Sequence, residues 1–168
     1  TENDINQLIE NYYPEHQDQL LSLLDLEDPR LAMDHLTTNQ QTLCPSIFIA
    51  RSFAKNGNNV YQYHFTRMRA GSEKILSYHG AEIPYVFNTH DEWLPTNEDD
   101  AQLTEAMVEY WVEFAKKGTP NSINNPTWKE FGTEENYLIL DLPLQNSSKL
   151  ENKFCEIMID ELIQRADY

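Results

Sequence analysis

Only two short stretches of this 168-residue chain read as β-strands, and they lie far apart in the sequence. Val60-Tyr61-Gln62-Tyr63-His64-Phe65 alternates and is rich in β-forming residues. Tyr137-Leu138-Ile139-Leu140 is apolar and bounded by Asn136 on one side and Asp141-Leu142-Pro143 on the other. Nearly all the remaining apolar patterning has helical spacing. Two strands do not make a multi-stranded sheet. The pattern therefore predicts a helix-rich α/β segment that belongs to something larger.

The helices are punctuated by proline. Ile5, Leu8, Ile9 and Tyr12 lie at helical spacing over 4–13, and Pro14 closes that stretch. Leu20 to Leu26 forms a second short helix ended by Asp28-Pro29, and a third opens after Pro29 and runs on through Leu36, Ile47 and Phe53. Pro45 falls inside it, which predicts a kink or a fresh start there. Asn56-Gly57-Asn58-Asn59 is a stop. Thr96 with Asp99 reads as a capping box for a helix over 101–116, with Leu103, Met107, Tyr110, Trp111 and Phe114 on one face and Gly118 at its end. The acidic run at 98–100 lacks the spacing and glycine of a calcium loop. Asn146-Ser147-Ser148 is a glycosylation sequon, of consequence only in a eukaryotic secreted protein. A last amphipathic helix spans 149–165.

Composition mainly excludes partners. Twenty-eight acidic residues against twelve basic ones give a net charge of −16, which repels nucleic acid and anionic membranes at long range. There is no run of eighteen apolar residues, so no membrane span is expected. Neither an initiator Met nor an apolar leader opens the chain, which is read as processed or as a fragment. No CxxC motif or Cys/His cluster points to a metal, and no cofactor is expected. Cys44 and Cys155 are compatible with two buried thiols or with one long-range bridge, and composition does not choose between them.

Of the five histidines, His16 and His35 lie in polar helical contexts, His64 in a strand and His90 in an acidic loop, all contexts of ordinary structural histidines. His79 differs. It sits with Gly80 on a turn between apolar segments, with Glu82 three residues further on. A general base must reach a proton without being locked in an element, and a loop after a strand gives that freedom. Spacing alone leaves a structural role for His79 open.

Tyr78-His79-Gly80-Ala81-Glu82-Ile83-Pro84-Tyr85-Val86-Phe87 resembles the histidine motif of the type B carboxylesterase and cholinesterase family. Cys44-Pro45, the Val60–Phe65 strand, this motif, the tryptophan helix Tyr110-Trp111-Val112-Glu113-Phe114 with its exit Gly118-Thr119-Pro120-Asn121, and Trp128 follow the family's order. The resemblance covers roughly residues 34–161. Where the family often has glycine after Phe87 this chain has Asn88, which also tolerates a left-handed backbone.

The resemblance implies an α/β-hydrolase fold, of which residues 1–168 are the C-terminal portion, and a serine esterase whose chain order is serine, acid, histidine. No Gly-x-Ser-x-Gly is present, so the nucleophile and the acid are expected upstream, in an N-terminal remainder of the hydrolase. His79 is then the general base acting on a small carboxylic ester, and Glu82 either a glutamate supporting the site or a buried structural carboxylate. The resemblance also implies a Cys44–Cys155 disulfide, and with it an extracytoplasmic location, secreted or periplasmic. A non-catalytic adhesion module of the same fold is the competing reading. An independent acidic interaction domain is a third.

Overall fold

The computed structural model describes residues 1–166. The chain divides into two compact units, one made of Thr1–Asn56 with the segment from Glu151 on, the other of Gly57–Leu150.

The first unit is all helical. Helix α1 (Glu2–Tyr12) leads through a 3₁₀ turn at Pro14–His16 into α2 (Gln17–Ser22), then α3 (Pro29–Thr38) and α4 (Cys44–Lys55), and α7 (Asn152–Ala166) returns to complete it. The Asp28 side chain caps α3, accepting from the Arg30 and Leu31 amides, with Pro29 in the first turn. Between α3 and α4 the chain does not break but widens into a π turn over Asn39–Leu43, where the Cys44 amide reaches back to the Asn39 carbonyl. Pro45 explains this: it lacks an N–H and its ring excludes an ordinary α turn before it, so the helix restarts with proline in its first turn. Ile5, Ile9, Leu20, Leu36, Ile47, Phe154 and Met158 form the core. Each such side chain contributes about 1.5–3 kcal/mol on burial. Cys44 and Cys155 are joined by a disulfide in this core, with Cα atoms 4.9 Å apart.

The second unit holds a mixed three-stranded sheet in the order β1-β2-β3. Strand β1 (Gln62–Phe65) runs parallel to β2 (Asn136–Leu140), with Gln62 opposite Tyr137 and Phe65 opposite Leu140. A parallel pair needs a long crossover, and here it carries α5 (Ile83–Phe87) and α6 (Glu98–Lys117). Leu103, Met107 and Tyr110 of α6 pack with Leu138, Leu140, Tyr85 and Trp128 in one apolar cluster. The Trp128 indole donates to the Gln62 carbonyl at 2.9 Å, pinning the loop after α6 to β1.

Strand β3 (Gln145–Ser148) is antiparallel to β2 and coincides with the sequon. Its residues are polar and do not alternate, so pattern alone does not reveal it. Its pairing with β2 makes it a strand, and its polarity suits an edge. The Asn146 amide clasps the neighbouring loop, accepting from the Lys129 N–H at 2.9 Å and donating to the Thr127 carbonyl at 2.8 Å. The outer edge of β1 carries no strand partner among the described residues.

Helix α6 begins at Glu98, earlier than the sequence suggests, and its cap is Asn97 rather than Thr96. Asn97 accepts from the Asp100 amide while Asp100 accepts from the Asn97 amide, a reciprocal box shifted by one residue.

Candidate active site

His79 occupies a tight turn between β1 and α5, and its side chain is exposed. Among the described residues its ring meets no hydrogen-bonding, ion-pairing or aromatic partner. The turn beneath it is firmly built. The Ala81 amide donates to the Tyr78 carbonyl at 2.9 Å, the Ile83 amide to the Gly80 carbonyl at 3.1 Å, and the Tyr85 and Val86 amides to the Glu82 carbonyl at 3.0 Å. Turn and helix α5 are thus one continuous hydrogen-bonded piece. Gly80 has φ +87°, a backbone conformation that L side chains rarely adopt, which accounts for the glycine. Leu76, just before the turn, is also held at positive φ (54°), a conformation that costs a bulky residue about 1 kcal/mol or more. On that side the Ser77 hydroxyl donates to the Phe65 carbonyl at 3.0 Å, tying the approach to His79 to the end of β1.

On the other side a buried polar network does the holding. Asp100 is 0% exposed. One of its oxygens accepts from Arg67 Nε at 2.8 Å and from the Tyr85 hydroxyl at 2.7 Å, and the other accepts from the Asn97 amide at 2.9 Å. Burial works against ionisation of this carboxyl, but the Asn97 amide, the Arg67 guanidinium and the Tyr85 hydroxyl outweigh it and hold Asp100 below the usual carboxylate range. The same burial, together with the bond to Asp100, pushes the Tyr85 phenol far up, so it remains a donor. Arg67 also approaches Asp141, just past β2, at 3.5 Å. One carboxylate therefore joins the exit of β1, helix α5 and the start of α6.

Arg69 performs a similar task for the 91–96 loop. Its buried guanidinium donates to the carbonyls of Asp91, Leu94 and Pro95 and to the Thr96 hydroxyl. Thr96 is thereby engaged away from the helix end, which leaves the cap to Asn97. His90, expected to be structural, donates through Nε2 to Thr104 Oγ1 at 2.7 Å, because the Thr104 proton is given to the Asp100 carbonyl. Burial first, and the nearby Arg69 charge second, pull its pKa down. His35 pairs with Glu151 at 3.3 Å and His16 bonds Gln19 at 2.7 Å.

Glu82 is half-buried at the start of α5, and its charge is felt by the Tyr63 phenol, whose pKa burial and Glu82 both raise. The structure does not bring Glu82 or Asp100 into a bond with the His79 ring. No cluster of metal-ligating side chains is present among the described residues, and none of their helices is long and apolar enough to cross a membrane. Arg67, Tyr85 and Asp100 are the residues that sequence reasoning missed. The last acid of the 98–100 run, at the third position of a capped helix, together with an arginine just past a strand, was the available signal.

A sequence model described as "Carboxylesterase family" matches residues 2–158, nearly the whole chain and the entire His79 turn with it. The chain belongs to the carboxylesterase family. Among individual relatives, carboxylesterase 1E of Rattus norvegicus is 30% identical over 114 residues, covering 65% of this chain and 20% of that protein. Carboxylesterase 1D of Mus musculus is 27% identical over 135 residues, covering 74% and 24%. Cocaine esterase of Homo sapiens is 39% identical over 90 residues, covering 49% and 16%. This carboxylesterase-family chain thus matches about a fifth of the length of these relatives. Its helix-rich composition and small mixed sheet agree with a segment of an α/β-hydrolase fold.

Proposed function

We propose that this chain is the C-terminal portion of a single α/β-hydrolase domain and supplies His79 as the general base of a serine carboxylic-ester hydrolase. The observation that carries the reading is the family match across the His79 turn, where the ring stands exposed and unengaged on a rigidly bonded support. The nucleophilic serine and the acid of the triad belong to an upstream remainder. The outer edge of β1, which carries no strand partner among the described residues, supports this. So does a cleft of about 220 Å³ beside it, lined by Tyr61, Tyr63, Trp111, Phe114 and Trp128, as a surface for that remainder to cover. The disulfide supports a location outside the cytoplasm, where such bonds persist.

In this mechanism His79 accepts the serine proton as the oxygen bonds to the ester carbonyl carbon. It returns that proton to the alkoxide oxygen as the carbon–oxygen bond breaks and the alcohol leaves. His79 then takes a proton from water as the water attacks the acyl-enzyme, and gives it back to serine when the acid departs. Glu82 makes no bond to the ring among the described residues, and its part in this reading is to set the charge around the start of α5.

The test uses the full-length protein, labelled with a serine-directed organophosphonate and assayed on a simple aryl ester. His79→Ala is expected to lower both labelling rate and turnover by roughly 10³-fold or more. Equal rates in the two proteins would remove His79 from the mechanism.

A further inference from the structure

The turn that carries His79 is braced on both sides. Its leading strand end is tied by Ser77, and its trailing helix is anchored through one phenol to a fully buried carboxylate. Tyr85 is itself 0% exposed, packed edge-on against Phe65 at 5.1 Å and against His90 at 4.8 Å. Asp100 would remain well bonded without the tyrosine, since Arg67 and the Asn97 amide both still reach it. The hydroxyl of Tyr85 is therefore dispensable for satisfying the carboxylate. What it adds is registration. Helix α5 has little over one turn, and the Tyr85–Asp100 bond is the polar contact that locks it against the start of α6, with the His79 turn rigidly continuous in front of it.

We infer that Tyr85, through its bond to Asp100, is a positioning residue for His79, with Ser77 as its counterpart on the strand side. The inference rests on the reading of His79 as the general base. Proton transfer requires the imidazole to stay within hydrogen-bond reach of the nucleophile, and a misplacement near 1 Å costs as much as about 10²-fold in rate. Losing either tether lets the turn rock about the other.

The experiment is a double-mutant cycle in the full-length protein, with Tyr85→Phe and His79→Ala singly and together, read by kcat, KM and the rate of organophosphonate labelling. Tyr85→Phe keeps the ring and its packing and removes one oxygen. It is expected to lower kcat about tenfold with KM changed less than about twofold. In the His79→Ala background the same substitution should have no further effect, because its whole action passes through the imidazole. A loss that persists undiminished without His79 would mark Tyr85 as merely structural and overturn the inference. So would an unchanged kcat in a Tyr85→Phe protein beside an inactive His79→Ala. If His79→Ala retains wild-type turnover, the reading of the base falls and this inference falls with it. Ser77→Ala provides the second route should Tyr85→Phe fail to fold, with the same expected split between kcat and KM and the same dependence on His79.

Discussion

The helical unit and the sheet-bearing unit are stabilised by different chemistry. The first is an apolar core with a covalent cross-link: Ile5, Ile9, Leu20, Leu36 and Ile47 close over the Cys44–Cys155 disulfide. The second has an apolar cluster too, but its framework joints are polar, with Arg67, Tyr85 and Asn97 converging on Asp100 and Arg69 gathering the 91–96 loop. Hydrophobic packing is non-directional and tolerates small shifts, whereas a charge-assisted bond fixes position. The unit that carries the candidate base is the one built from directional joints.

The sharpest way to break the contrast is Asp100→Ala. It removes the nearest carboxylate partner of the Arg67 guanidinium and leaves it Asp141 at 3.5 Å and Asp99 at 3.7 Å, and breaking a buried pair costs up to about 3–5 kcal/mol. Urea unfolding of the purified protein should show it, and a loss below about 1 kcal/mol would mean the polar joints are ornamental. Next comes the cross-link. Replacing Cys44 and Cys155 by serine should cost about 2–5 kcal/mol. Hydrogen exchange should accelerate in α1, α3, α4 and α7 while β1–β3 keep their protection. Asn97→Ala removes a helix cap and should cost about 1 kcal/mol, with exchange rising in the first turn of α6.

The smallest effect is also the most discriminating. Glu151 raises the folded pKa of His35 in the helical unit, first through its hydrogen bond. The stability this contributes is complete below the unfolded value of about 6.5 and is lost as pH rises through the folded value. His90 in the sheet-bearing unit is lowered, so its contribution is present above about 6.5 and is lost as pH falls through its folded value. Local exchange rates measured across this range should move in opposite directions in the two units. His35→Gln and His90→Gln should each flatten the response of one unit only, and parallel responses would sink the assignment.

What the sequence disclosed follows the same division. The helices of the first unit are written in apolar spacing and proline punctuation, and most are found nearly where expected, but the second, expected over Leu20 to Leu26, runs instead from Gln17 to Ser22. Even the interruption at Pro45 is legible, although the π turn that resolves it is not, since nothing local distinguishes it from a kink. In the second unit the tertiary contacts decide. Thr96 and Asn97 are both good caps, each with an aspartate three residues on. The choice falls to Asn97 because Arg69 takes the Thr96 hydroxyl and Arg67 with Tyr85 takes Asp100. Strand β3 is invisible for a related reason: Gln145-Asn146-Ser147-Ser148 has no strand pattern of its own and exists by pairing with β2. His79 stood out in the sequence through its neighbours, but the supports of its turn come from residues 65 to 100 and carry no common spacing.

The disulfide has a consequence for how this chain would come apart in the presence of a protease. Ile123 is 100% exposed, in a proline- and asparagine-rich segment without regular structure, the kind of site where nicking concentrates. A cut there lies between Cys44 and Cys155 in the sequence, so it severs the backbone without releasing either piece. The nicked chain should migrate as one band on a denaturing gel without reductant and as two with it.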